Sequence, residues 1–216
     1  MKCPRCVQLI HRGAETCPHC GFSLAEADER FGRGEVRAHR LEDGAGLMRS
    51  VERRRIEASM LAFERRFPQL FFAVHTGRPK GRSDVRQFGF WYLNRAAFVD
   101  VGVERPNECG ILLAIDPDAK SAGMTWGYRL DPFLGEKDTF HLLSRAHAYW
   151  VEGRYSEGIA RILLQLTRLL KKRARQARRD PERFERRIAA PPPMREQVER
   201  MRTGHRPAGS KRAKVS

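Results

Sequence analysis

Four cysteines near the start of the chain are the residues whose spacing is best suited to chemistry. They form two pairs, Cys3-x-x-Cys6 and Cys17-x-x-Cys20, with ten residues between the pairs. A Cys-x-x-Cys step is a tight turn that sets two sulfurs on one side of the backbone. Two such turns facing each other make a tetrahedral thiolate site, the closed geometry of structural zinc. Pro4 and Pro18 stiffen the turns, and Gly21 tolerates the positive φ that a knuckle often needs. A redox dithiol or an iron–sulfur ligand set would use the same residue types. His11 and His19 are spectators on the zinc reading, because four thiolates fill the site. No ligand position is then open for water, so bound metal would fold this small segment rather than catalyse a reaction on it. The expected metal ligands are therefore Cys3, Cys6, Cys17 and Cys20, and the expected cofactor is structural Zn²⁺.

The second pair lies in Cys17-Pro18-His19-Cys20-Gly21-Phe22, followed by Leu24, and this stretch resembles the second knuckle of a zinc ribbon. Residues 1–25 are expected to be that ribbon. Residues 26–45 are charged and glycine-containing and read as a linker, with a short helix at 24–31. The N-terminus runs straight into Cys3-Pro4-Arg5-Cys6 without the apolar segment of a secretory signal, and no run of 18 apolar residues occurs. The expectation is a cytoplasmic protein without a transmembrane segment. Thiols stay reduced there, which favours metal over disulfides. The lone Cys109 sits at a strand edge with no His–acid partner in its motif and reads as a core residue.

The elements that follow read as one α/β domain over 46–175. Ile56, Met60, Phe63 and Phe67 recur at helical spacing over 47–67, and Pro68 stops the helix. Leu70 to His75 is a buried strand. Thr76 to Arg82 is a basic, turn-rich loop that lacks the spacing of a phosphate loop. Ser83 can cap a helix to about Phe98, with Val85, Phe88, Tyr92, Ala96 and Val99 as its buried stripe. Ile111 to Ile115 is a continuous apolar run of strand length, covered on both faces. Asp116-Pro117-Asp118 breaks it. Met124, Trp126 and Tyr128 then alternate with Gly123, Thr125 and Gly127, as in a half-buried strand, so the two runs form an antiparallel hairpin. A helix is expected at 136–152 with Phe140, Leu143, His147 and Trp150 on one stripe and Leu142, Ala146 and Tyr149 beside it. Another starts near Ser156 with Ile159, Ile162, Leu163, Leu166, Leu169 and Leu170 inward, and Asp180-Pro181 ends it. The fold class is α/β: a small central sheet with a β-hairpin, helices on its faces, and an N-terminal zinc ribbon.

The apolar strand, the Pro-Asp turn, the alternating strand and the closing Gly127-Tyr128-Arg129-Leu130-Asp131 resemble the TPM domain, as does the aromatic Trp150 to Tyr155 step between the last two helices. That domain is shared by the thylakoid acid-phosphatase group, and the likeness spans roughly residues 46–170. It implies a carboxylate cluster around the hairpin. Asp131 matches the acid after the Gly-Tyr-x-Leu step and Asp138 the acid a few residues later, with Asp116 and Asp118 nearby. Such a cluster would hold Ca²⁺ or Mg²⁺ and ready a water nucleophile for phosphate. The competing account makes Asp116 and Asp118 turn formers and lets Asp131 cap a loop. The strand Ala122-Gly123-Met124-Thr125-Trp126 departs from the family pattern in carrying no early basic residue. An interaction or assembly module is the leading function, with a metal-dependent phosphatase of the kind the resemblance implies, or a nucleic-acid-associated protein acting through the basic tail, as the alternatives.

The formal net charge is +16, and it is unevenly placed. From Lys171 to Ser216 there are 16 basic and 5 acidic residues, a net +11, so the first 170 residues carry only +5. Residues 176–216 are expected to be a basic, proline-containing, disordered tail. A protein partner is expected for the domain, and a polyanion such as nucleic acid or an anionic surface for 171–216. A solvated tail with no partner is the bland alternative.

Overall fold

A computed structural model describes residues 2–11, 14–77 and 84–182. The expected basic loop at 78–82, the Ser83 cap and the proline-containing tail beyond 182 lie outside the described residues.

The sheet is built around β3 (Phe71–Thr76) and β5 (Gly110–Asp116), whose residues are buried almost throughout. Full burial suits a strand covered on both faces, and it explains why neither run alternates in sequence. β2 (Leu41–Asp43) pairs parallel to β3, β3 parallel to β5, and β5 antiparallel to β6 (Ser121–Trp126), giving the order β2-β3-β5-β6. The hairpin register sets Asp116 opposite Ser121 and Ile111 opposite Trp126. A second, two-stranded sheet joins β1 (Val36–Ala38) in parallel to β4 (Ala96–Phe98).

Side chains of alternate residues go to opposite layers. Phe72, Val74, Ile111, Leu113 and Ile115 pack under α2 (Ser50–Arg66), α4 (Glu136–Val151) and α5 (Tyr155–Arg179). Phe71, Ala73, Leu112 and Ala114 face α1 (Leu24–Phe31) and α3 (Val85–Arg95), and this second core also takes in Cys3, Cys17 and Phe22. The cysteine segment is therefore packed onto the body of the protein. The mixed α/β class with four clustered cysteines at the N-terminus is the architecture expected from sequence.

Three local expectations are corrected. The short helix expected at 24–31 is α1, but residues 26–45 are not a linker: β1 and β2 follow it, and Phe31 stacks against Phe88 and Trp91 of α3. The helix expected to reach Phe98 ends at Arg95. Ala96 to Phe98 instead pair with β1, because Val36–Ala38 offers a free strand edge and Phe98 packs on Phe71. On α4 the buried residues are Thr139, Leu142, Ala146 and Trp150: Trp150 and the flanking Leu142 and Ala146 face inward as expected, whereas Phe140, expected inward, is 67% exposed. The small Ala146 faces inward, in the core shared with α5, while bulkier Phe140 stays outside. α5 ends at Arg179 with Asp180 as its cap, four residues past the expected domain boundary at 175.

Candidate metal centre

The two cysteine turns are copies of each other, fourteen residues apart. Cys3 N donates to Gln8 O (2.9 Å) as Cys17 N does to Phe22 O (2.8 Å), and Val7 N donates to Cys3 O (3.0 Å) as Gly21 N does to Cys17 O (2.9 Å). Antiparallel bridges Lys2–Leu9 and Thr16–Ser23 close each turn. Both knuckles put the residue after the second cysteine at positive φ, 73° at Gly21 and 65° at Val7. Glycine takes that conformation freely, whereas β-branched valine does so only under strain.

The knuckles meet face to face. Sγ of Cys3 lies 3.6 Å from Sγ of Cys20, and Sγ of Cys6 lies 3.7 Å from Sγ of Cys17. All four sulfurs fall within 4.8 Å of one another. A tetrahedron with metal–sulfur bonds of about 2.3 Å has sulfur–sulfur edges of about 3.8 Å, so the donors already stand close to the separations such an ion requires. Four thiols and no other donor are what a borderline-soft ion such as zinc takes, and the arrangement can hold such a metal. Among the described residues this is the one group of three or more Cys, His, Asp or Glu donors placed to share an ion. His11 and His19 stand outside it.

The surroundings split the thiols. Burial pushes Cys3 up to about 12, against the downward pull of the Cys6 and Arg5 N–H groups. Burial also pushes Cys17 upward, but the N–H groups of His19 and Cys20 and the thiols of Cys20 and Cys3 outweigh it, and Cys17 ends at about 7. The same two positions of each turn, the second and third residues after the first cysteine, thus aim N–H groups at a sulfur. That pattern stabilises thiolate and hence bound metal.

The knuckle also grips the domain. Phe22, 4% exposed, meets Phe90 of α3 edge-on at 5.7 Å between ring centroids, and the Arg5 guanidinium lies over its other side at 4.9 Å. Arg5 pairs with Glu26 of α1, and Lys2 reaches Glu136 at the start of α4 (2.6 Å).

The four acids assigned to a cation are not brought together. Asp116 is buried at the end of β5, where its Oδ1 accepts from Ala119 N (3.0 Å) in the hairpin turn, and Asp118 is exposed in the same turn. Asp131 lies at the opposite end of the hairpin, roughly 17 Å away at strand geometry, and its Oδ1 accepts from Trp126 Nε1 (3.1 Å). Asp138 caps α4 by accepting from Gly135 N (2.9 Å) and accepts from Arg173 Nη2 (2.7 Å). Among the described residues Asp116, Asp118, Asp131 and Asp138 are not placed to share one divalent cation: Asp116 accepts within the turn, Asp131 from an indole N–H, and Asp138 from a helix start and Arg173. An open groove of about 500 Å³ does lie between the hairpin turn and α4, lined by Asp116, Lys120, Phe140, His147, Trp150 and Tyr155 among others.

One polar cluster was missed from sequence. At the carboxyl ends of β2 and β3, Tyr92 Oη donates to Glu42 Oε2 (2.5 Å), and His75 Nδ1 lies 3.3 Å from the same oxygen. Burial works to raise Glu42, but the His75 and Tyr92 hydrogen bonds outweigh it and hold the carboxyl below its ordinary value; burial and the same Glu42 contact push Tyr92 up. The three residues are far apart in sequence. The one available signal was that ends of neighbouring parallel strands collect polar groups.

No known family model matches the chain. Over 42 residues it is 38% identical to an uncharacterised protein of Haemophilus influenzae, a match covering 19% of this chain and 55% of that protein. The chain thus spans about half the length of the curated relative it matches. Among solved structures, the N-terminal domain of a protein from P. gingivalis, determined by NMR, aligns over 62% of this chain and 83% of that domain, with a TM-score of 0.48 and 19% identity. Among the described residues no helix is long and apolar enough to cross a membrane.

Proposed function

We propose that the chain is an interaction module: a TPM-like α/β domain carrying a zinc-binding four-cysteine segment that a metal locks onto its α1–α3 face. The observation that carries this is the closed thiol quartet. All four donors are protein sulfurs at tetrahedral spacing, so an ion held there has no position for water or substrate and acts on shape alone. The TPM assignment rests on the hairpin sequence and its closing Gly127-Tyr128-Arg129-Leu130-Asp131. The phosphatase alternative needs a shared carboxylate site, and the hairpin acids are instead spent on a turn, an indole N–H and a helix cap.

Metal analysis and an aryl-phosphate assay of the full chain test the reading together. The expected result is one zinc per chain and no phosphate release, with or without added Mg²⁺ or Ca²⁺. Metal-dependent turnover that disappears in Asp131→Asn would overturn it and return the chemistry to the hairpin.

A further inference from the structure

The last turns of α5 turn one side to the body and leave a basic side exposed. Leu170 is the last buried residue of the helix, which continues to Arg179, about 13 Å further on. This stretch holds Lys171, Lys172, Arg173, Arg175, Arg178 and Arg179, and its apolar residues are two alanines. Arg173 turns back to the body, donating to Phe133 O (3.1 Å) and Asp138 Oδ1 (2.7 Å). At about 100° per residue, the other five fall on one arc of about 120°, on the side away from Arg173. All five are exposed, and none forms an ion pair with a described carboxylate, whereas Arg49 and Arg154 elsewhere on the helical layer do.

Resting on the reading of the chain as an interaction module, we propose that this arc of α5 binds duplex nucleic acid through its phosphates. Three features point to that partner. Guanidinium groups match phosphate in two-pronged fashion, and three of the five side chains are arginine. A helix that binds in a membrane interface needs bulky apolar side chains opposite its charges, and this stretch has none. A helix about 10–12 Å across matches a major groove about 12 Å wide, and the basic arc, with Ala174 and Ala177 outside it, reaches the backbone phosphates. Phosphates contacted in this way fix position and carry no sequence information, so binding is expected to be insensitive to sequence.

The test is fluorescence anisotropy with the full, metal-loaded chain and a labelled duplex of about two helical turns, across about 50 to 200 mM salt. The variant replaces Lys171, Lys172, Arg175, Arg178 and Arg179 by Gln, a good helix former, and circular dichroism checks that it folds. Five phosphate contacts contribute about −4.5 to the slope of log affinity against log salt, so the variant's slope should be shallower by that amount. Over this salt range those contacts account for about a 500-fold loss of affinity. Changing Arg53, Arg54 and Arg55, exposed arginines on α2, to Gln should alter the slope by less than about 1. An unchanged slope in the five-site variant overturns the proposal, as does equal loss in the α2 variant. Vesicles of phosphatidylserine that bind as tightly as duplex, with the same dependence on the five residues, replace nucleic acid by membrane. A zinc-loaded chain that ignores duplex sinks this proposal alone. A chain without zinc sinks the metal-clamp reading alone.

Discussion

Phe22→Ala separates two jobs of the cysteine segment, holding metal and gripping the domain. The ring is 4% exposed, so truncation returns nearly a full phenylalanine of contact to water, about 3 kcal/mol. Losing the edge-on contact with Phe90 adds about 1 kcal/mol, and the Arg5 contact about 0.5 kcal/mol. The sum, about 4.5 kcal/mol, is an upper figure and lies within the range of about 3–5 kcal/mol for core Phe→Ala changes. The ligand turn should survive, because Phe22 supports it through its backbone carbonyl, which accepts from Cys17 N (2.8 Å) whatever the side chain. The assay is urea denaturation followed by tryptophan fluorescence, with metal content measured on the same sample. The expected outcome is one zinc per chain and a stability loss of about 3–4 kcal/mol. A loss below about 1 kcal/mol would show that the segment does not brace the domain. Loss of the zinc would refute the division of labour itself.

Other sites give independent checks. Glu64→Gln removes a carboxylate, 3% exposed, that binds Arg40 (2.6 Å) and Arg105 (3.1 Å); calorimetry should show a loss of about 3–5 kcal/mol, since both guanidinium groups stay largely buried. Gly89→Ala places a methyl 2.4 Å from Thr125 Oγ1 where α3 crosses β6, and denaturation should show a net cost of about 1–2 kcal/mol after the helix-propensity gain of about 1 kcal/mol. Glu42 has a folded pKa below its ordinary 4.5, so its contribution is complete above that value and is lost as pH falls through the lowered folded pKa. Tyr92→Phe removes a donor to it; carboxyl NMR should show Glu42 titrating at higher pH, and the acid limb of stability should flatten.

The four-cysteine cluster was legible because its chemistry is written in local spacing. Two Cys-Pro-x-Cys turns name their own geometry, and Gly21 named the positive φ. The fourteen-residue copy relating the turns was not read, because Val7 stands in the glycine position and hides the match. The central strands were legible for a similar reason: full burial leaves an unbroken apolar run in β5. The errors fell where short segments found distant partners. Val36–Ala38 and Ala96–Phe98 are three-residue strands that exist because each supplies the other's hydrogen bonds across some sixty residues. No local pattern could outvote helix propensity at Ala96. On α4 Phe140 was placed inward because bulk, rather than the packing of small residues, was used to choose between neighbouring faces.

The acids failed as a site for a reason that bears on the basic surface. The protein's best-placed carboxylates do structural work. Asp28 accepts from Trp91 and pairs with Arg95, Glu64 binds two arginines, and Asp43 receives the N–H groups of Leu47 and Met48. Asp84 and Asp138 cap helices. Each buried arginine contact consumes an acid, so the surplus of 42 basic over 26 acidic residues is pushed to places where no acid is needed for packing. Past Leu170 no residue of the helix is fully buried, and five cations without an ion pair to a described carboxylate share one arc. Glu157 sits beside the basic residues at the start of the same helix and pairs with Arg154, whereas within Lys171–Arg179 no acid is interleaved and the first come at Asp180 and Glu182. An uninterrupted basic arc over that stretch fits a surface that meets an anionic partner.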